Sequence, residues 1–81
     1  MQSLIYRSSK KIDTYLYVLG EDKLNDLPQG LDKLLGKLEF VMALDLDNIK
    51  RLENADLEEV RRCLKDSGFY LQLPRELHVL V

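Results

Sequence analysis

Apolar and polar side chains alternate along Ser3–Ser8 and again along Thr14–Leu19, with the short, mostly polar segment Ser9–Asp13 between them. Two alternating runs around a polar turn predict a β-hairpin. Successive side chains of a strand point to opposite faces. Leu4 and Tyr6 therefore share one face of the first strand, and Ile5 and Arg7 share the other. In the second strand Leu16 and Val18 lie opposite Tyr15, Tyr17 and Leu19. Large apolar groups on both faces imply cover on both faces. The turn falls at Ser9–Asp13, where Asp13 suits local side-chain-to-backbone bonding.

The rest of the chain supplies candidate covers. Gly20 to Asn25 reads as a polar loop, and Pro28–Leu35 as a short helix with proline in its first turn. Leu27, Leu31, Leu34, Leu35 and Leu38 follow helical spacing. Gly30 weakens that helix by about 1 kcal/mol relative to alanine, and Gly36 closes it. Leu38–Leu46 is the third strand. Period two puts Leu38, Phe40, Met42, Leu44 and Leu46 on one face and Val41 and Ala43 on the other, which predicts a central strand. Asp47–Leu52 reads as a helical turn capped by Asp47.

Asp56 and Glu59 have capping-box spacing ahead of a second helix. Its Leu57, Val60 and Leu64 face the core, Glu58 and Arg62 are placed to pair outside, and Gly68 ends it. Phe69–Leu73 is the fourth strand, closed by Pro74. The residues after Pro74 are too few to assign. The order is β-β-α-β-α-β: a single α+β domain over residues 1–81, with one four-stranded sheet, an N-terminal hairpin and packed helices.

Composition narrows the functional classes. The net charge of −2 gives no global field that would recruit nucleic acid or an anionic membrane. No apolar run approaches the roughly 20 residues that span a bilayer, so no membrane partner is expected. The first residues lack the apolar core of a signal peptide. Cys63 is the single cysteine and has no internal disulfide partner, which points to a reducing compartment and a cytoplasmic protein. Positive charge is in excess only near the N-terminus, where Arg7, Lys10 and Lys11 outweigh Asp13.

No catalytic, cofactor or metal motif stands. Ser8 and Lys11 have S-x-x-K spacing, but that chemistry needs a helix start, and here the pair spans a strand end and a turn. Hydroxyls bonding turn backbone explain the serines. Asp45, Asp47 and Asn48 lack the glycine and distal glutamate of a calcium loop. His78 is the only histidine, whereas zinc takes three or four protein ligands. Cys63 reads as a small core residue. The isolated glycines form no phosphate loop. No cofactor and no metal are expected.

Three stretches, IYRSSKKIDTYLYV at Ile5–Val18, NADLEEV at Asn54–Val60 and GFYLQLP at Gly68–Pro74, resemble the YcgL family in order and spacing. These small gamma-proteobacterial proteins were formerly grouped as a domain of unknown function. The resemblance covers about residues 4–74. It implies an α/β/α sandwich and implies no activity. It also implies a tail beyond the QLP motif, so any function lodged in that tail is not carried over to a chain ending at Val81.

The surface expected to carry function is the hairpin, with Tyr6, Arg7, Ser8, Lys10, Lys11, Tyr15 and Tyr17, joined by Gln72 on the last strand. Tyrosine and arginine are enriched at protein interfaces, and the first reading is a non-catalytic interaction module with a protein partner. The second is an RNA-associated protein, because basic groups neutralise phosphates and aromatic rings stack bases. The third is an enzyme, which would need polar groups such as Ser8, Asp45, Asn54 and Gln72 to converge. The balance leans away from catalysis.

Overall fold

The computed structural model describes residues 1–52 and 55–74. Asn54, His78 and the stretch after Pro74 lie outside the described residues. The elements run β1 (Gln2–Ser8), β2 (Tyr15–Val18), a 3-10 helix (Glu21–Asp26), α1 (Leu31–Leu35), β3 (Leu38–Asp45), α2 (Leu57–Asp66) and β4 (Phe69–Gln72). The sheet order is β3-β1-β2-β4, and every neighbouring pair is antiparallel. The hairpin β1–β2 is therefore the centre of the sheet, as its two apolar faces require.

Each face has its own core. Ile5 and Tyr17 pack with Leu46 and with Val60 and Leu64 of α2. On the opposite face Tyr6, Leu16 and Val18 pack with Leu35 of α1, joined by Leu24, Leu27, Leu31 and Leu38. The result is an α+β domain with helical cover on both sides of one sheet. Leu16, Val18, Leu35, Leu46, Val60 and Leu64 are 0–1% exposed, and full burial stabilises by about 1.5–3 kcal/mol per side chain of this size.

The expected second helix forms with a working cap. The Asp56 carboxylate accepts from the Glu58 N–H at 3.0 Å. Arg61, not Arg62, pairs with Glu58, at 3.2 Å, three residues away on the helix rather than four. At the C-terminal end the Gly68 N–H donates to the carbonyls of Cys63 and Leu64 from a left-handed conformation.

Three expectations about chain paths are corrected. Gly20–Asn25 is not an irregular loop, since a 3-10 helix covers Glu21–Asp26. Helix α1 starts at Leu31, not at Pro28, because Gly30 has φ 92° and stands ahead of the helix as its N-cap. Its left-handed φ is one that glycine adopts freely. No helix forms over Asp47–Leu52. The turn there is organised by Asp45, whose carboxylate accepts from the Asp47 N–H and the Asn48 side-chain amide.

The fourth correction concerns β3, which is an edge strand and not a central one. Its register on β1 shifts between Ile5 and Tyr6: Ile5 opposes Met42, but Tyr6 opposes Phe40. Val41 is thus an extra residue, a β-bulge. The bulge splits the expected single apolar face. Leu38 and Phe40 fall on the α1 side with Tyr6, whereas Met42 and Leu44 fall on the α2 side with Ile5.

Replacing Leu16 by alanine, at the fully buried centre of the α1 face, is expected to lower unfolding free energy by about 2–5 kcal/mol in a urea titration. The same change at Leu34, which is 46% exposed, is expected to cost well under half of that.

Candidate functional site

The tip of the hairpin is built by one hydroxyl. Ser8 Oγ is buried, donates to the Leu35 carbonyl at 2.6 Å, and accepts the N–H groups of Lys10 and Lys11 at 3.2 and 3.0 Å. It therefore closes the turn and ties it to the end of α1. Backbone bonds add to the joint: Ser9 N–H to the Lys37 carbonyl at 3.0 Å, and Lys10 N–H to the Leu35 carbonyl at 3.3 Å. Gly36 allows this approach. Its φ is 70°, and a Cβ there would fall 2.7 Å from Ser9 Oγ and Lys10 Cγ. On the other side of the turn Asp13 takes φ 56°, a conformation in which aspartate is tolerated.

This joint leaves an apolar groove at the tip, with a volume of about 480 Å³. Ile12, Leu34, Leu71 and Leu73 form its apolar walls, and Lys10 and Lys11 flank them. Ile12 is 80% exposed and Leu73 is 56% exposed. Lys10 Nζ donates to the Lys33 carbonyl at 3.1 Å, which holds its ammonium on the α1 side.

The residues singled out from sequence do not form one patch. Tyr6 and Tyr17 are 7% and 5% exposed and point to opposite faces. Tyr6 meets Phe40 edge-on, with ring centroids 5.6 Å apart. Tyr17 meets Tyr70 edge-on at 5.8 Å, and its hydroxyl donates to Gln72 Oε1 at 2.7 Å within the structure. Gln72 is buried, and Tyr15, half-buried, lies opposite it in the ladder. Arg7 is exposed and pairs with Glu39 across β1–β3 at 2.6 Å. That hydrogen bond, and then the guanidinium charge, hold the Glu39 carboxyl below the ordinary carboxylate range. In so open a position the pair contributes little to stability. Lys10 and Lys11 are the exposed basic residues that the structure brings beside an apolar surface.

Of the polar residues weighed for catalysis, the three that are described, Ser8, Asp45 and Gln72, are separated. Asp45 opposes Gln2 at one end of β1, whereas Ser8 opposes Leu38 at the other. Gln72 opposes Tyr15 on the face remote from the Ser8 hydroxyl's partner Leu35. Among the described residues, no group of three or more His, Cys, Asp or Glu is placed to hold a metal ion. None of the described helices is long and apolar enough to cross a membrane.

Reasoning from sequence missed the groove. Its one local signal is Ile12, an isoleucine in a turn between Lys11 and Asp13. The other walls come from α1 and the end of β4, which only the fold brings to the tip.

Comparison with known proteins adds a family. The model of the YcgL domain matches residues 3–75. A YcgL domain-containing protein of Citrobacter koseri is 50% identical over 74 residues, covering 91% of this chain and 76% of that protein. One from Enterobacter sp. strain 638 is also 50% identical, covering 91% and 81%. Protein YcgL of Salmonella arizonae is 47% identical, covering 91% and 67%.

Ser8→Ala removes the partner of the Lys11 N–H and leaves the Leu35 carbonyl and the Lys10 N–H with only their 3.3 Å bond to each other, and is expected to lower stability by about 1–3 kcal/mol in chemical denaturation. Accelerated amide exchange at Lys10 and Lys11 is the accompanying sign. Burial first, then the neighbouring Tyr70 and Tyr15, raises the Tyr17 phenol above the ordinary phenol range. The unfolded chain then loses this proton before the folded one, so this stability contribution is intact below about pH 10 and falls as pH rises above it. Thermal melts of Tyr17→Phe, set against wild type across that range, are expected to show a shallower alkaline decline.

Proposed function

This chain belongs to the YcgL domain family, and from that premise we propose that it is a non-catalytic protein-interaction module. The observation that carries this reading is the groove at the hairpin tip. Exposed Ile12 and Leu73 form a surface that gains by being covered. Lys10 and Lys11 stand beside it, and among the described residues no acidic side chain lines it. The occupant this favours is an extended apolar segment of a protein partner with carboxylates at its flank. Apolar side chains would fill the groove, and the two ammonium groups would select for the acidic flank and steer its approach.

The hairpin residues then divide by role. Lys10 and Lys11 contact the partner. Ser8 positions them through the turn, while Tyr6, Tyr17 and Gln72 hold the sheet beneath. Arg7 and half-buried Tyr15 lie along the strands that lead away from the tip. A cytoplasmic setting suits a chain whose single cysteine, Cys63, has no internal partner.

RNA is supported less well by the same residues. Two of the three hairpin tyrosines are buried and offer no ring face for stacking a base, and Arg7 is neutralised by Glu39.

The test is a tagged capture from native lysate, run with and without nuclease, using wild type, Ile12→Asp and Lys11→Glu. The expected result is a partner that survives nuclease, is lost with Ile12→Asp and is weakened by Lys11→Glu in a salt-dependent way. A partner set that vanishes with nuclease would transfer the reading to nucleic acid. Capture unchanged in both variants would remove the hairpin tip as the contact region.

A further inference from the structure

Edge strand β3 leaves Phe40, Val41 and Met42 respectively 58%, 45% and 44% exposed. Its inner side pairs with β1, and no described strand pairs with its outer side. A strand edge of this kind, with free N–H and C=O groups and apolar side chains, is a template for another strand.

The bulge decides which strand fits. Ala43 opposes Leu4 and Phe40 opposes Tyr6, so Phe40 and Ala43 share a face. Two residues, Val41 and Met42, separate them where a regular strand has one. A straight strand laid on the outer side would be one residue short at this point. β1 meets the same mismatch on the inner side and absorbs it by a shift in register. A second copy of β3, antiparallel about a two-fold axis between Val41 and Met42, carries the same extra residue at the same place and stays in step on both sides.

We infer that the chain associates as a two-fold dimer through its β3 edges, joining two four-stranded sheets into one continuous sheet. In that register Phe40 lies opposite Ala43 of the second copy, a large ring beside a methyl group, and Val41 lies opposite Met42. Each such pair stays on one face. A slip of one residue would set side chains of opposite faces against each other. Charge selects among the slips that remain. The register brings Lys37 toward the turn that follows β3 of the second copy, where Asp45 and Asp47 are exposed and already share the N-terminal ammonium, Asp47 also meeting Arg61, and the two-fold axis makes this contact twice. Sliding by two residues in one direction puts Glu39 beside those carboxylates instead. Sliding by two in the other sets Phe40 against Val41, whose side chains lie on opposite faces at the bulge.

Sedimentation equilibrium of the full chain, from low micromolar to near-millimolar protein, tests this. Wild type is expected to pass from one chain mass to two. Val41→Lys is expected to remain at one chain mass while keeping the wild-type circular dichroism. Lys37→Glu, a change at an exposed position, is expected to weaken association by about tenfold or more. A wild-type chain that holds a single mass at every concentration overturns the inference. So does a dimer that forms equally well in Val41→Lys and Lys37→Glu.

Discussion

The fold depends on a hairpin that cannot leave either face in water. Ile5 and Tyr6 are adjacent in β1, point to opposite sides, and are both almost wholly buried. So are Leu16 and Tyr17, adjacent in β2. A two-stranded ribbon with such side chains has no stable exposed state. It needs strands along both edges and cover on both faces. β3 and β4 meet the first need, one on each side. α1 with the 3-10 helix meets the second on one face, and α2 meets it on the other. Every remaining element is placed by this demand of the central pair.

The same demand explains why the tip is both rigid and partly apolar. α1 is only Leu31–Leu35, too short to hold itself as a helix in water. Leu35 anchors it in the core beside Tyr6 and Leu16. The Leu35 carbonyl, left without a partner at the helix end, is taken up by the Ser8 hydroxyl and the Lys10 N–H. A helix end and a hairpin turn thus satisfy each other's backbone groups. Because α1 is so short it covers Leu16 and leaves Leu34 and the end of β4 open, and the groove lies in that gap.

How much of this the sequence discloses varies with the interaction that decides each part. The hairpin, its two apolar faces and the core side of α2 follow from periodicity in Ser3–Ser8, Thr14–Leu19 and Asp56–Leu64, where burial and pattern agree. β3 does not follow from its pattern. Leu38, Phe40, Met42, Leu44 and Leu46 recur at period two without a break, yet Val41 is inserted as a bulge, and the insertion depends on what lies opposite in β1. Its apolar content suggested a central strand, but edge or centre is a matter of pairing, which spans residues far apart in sequence. The candidate site was legible only in part. Lys10 and Lys11 stand at the surface as their turn position requires. Tyr6 and Tyr17 resemble interface residues by type and are core residues by place, because the sheet has two covered sides. Ile12 was legible as an anomaly, and its partners Leu34, Leu71 and Leu73 were not, since three separate elements must fold to bring them together.

The two surfaces argued for above use different parts of the sheet, and this has a geometric consequence. The strand that lines the groove is β4, through Leu71, and β4 is the edge opposite β3. Pairing two copies along β3 therefore leaves both groove-lining β4 edges at the outer limits of the joined sheet. The dimer would present two grooves related by its two-fold axis, with all four central hairpin strands fixed between them. A partner carrying two acidic-apolar segments could engage both at once, its second contact gaining from the effective concentration that the first confers. The bulge at Val41 has a place in such an assembly. It admits a partner strand with a matching extra residue and disfavours straight ones, so an edge with exposed phenylalanine, valine and methionine can pair with its own copy while being poorly matched to strands at large.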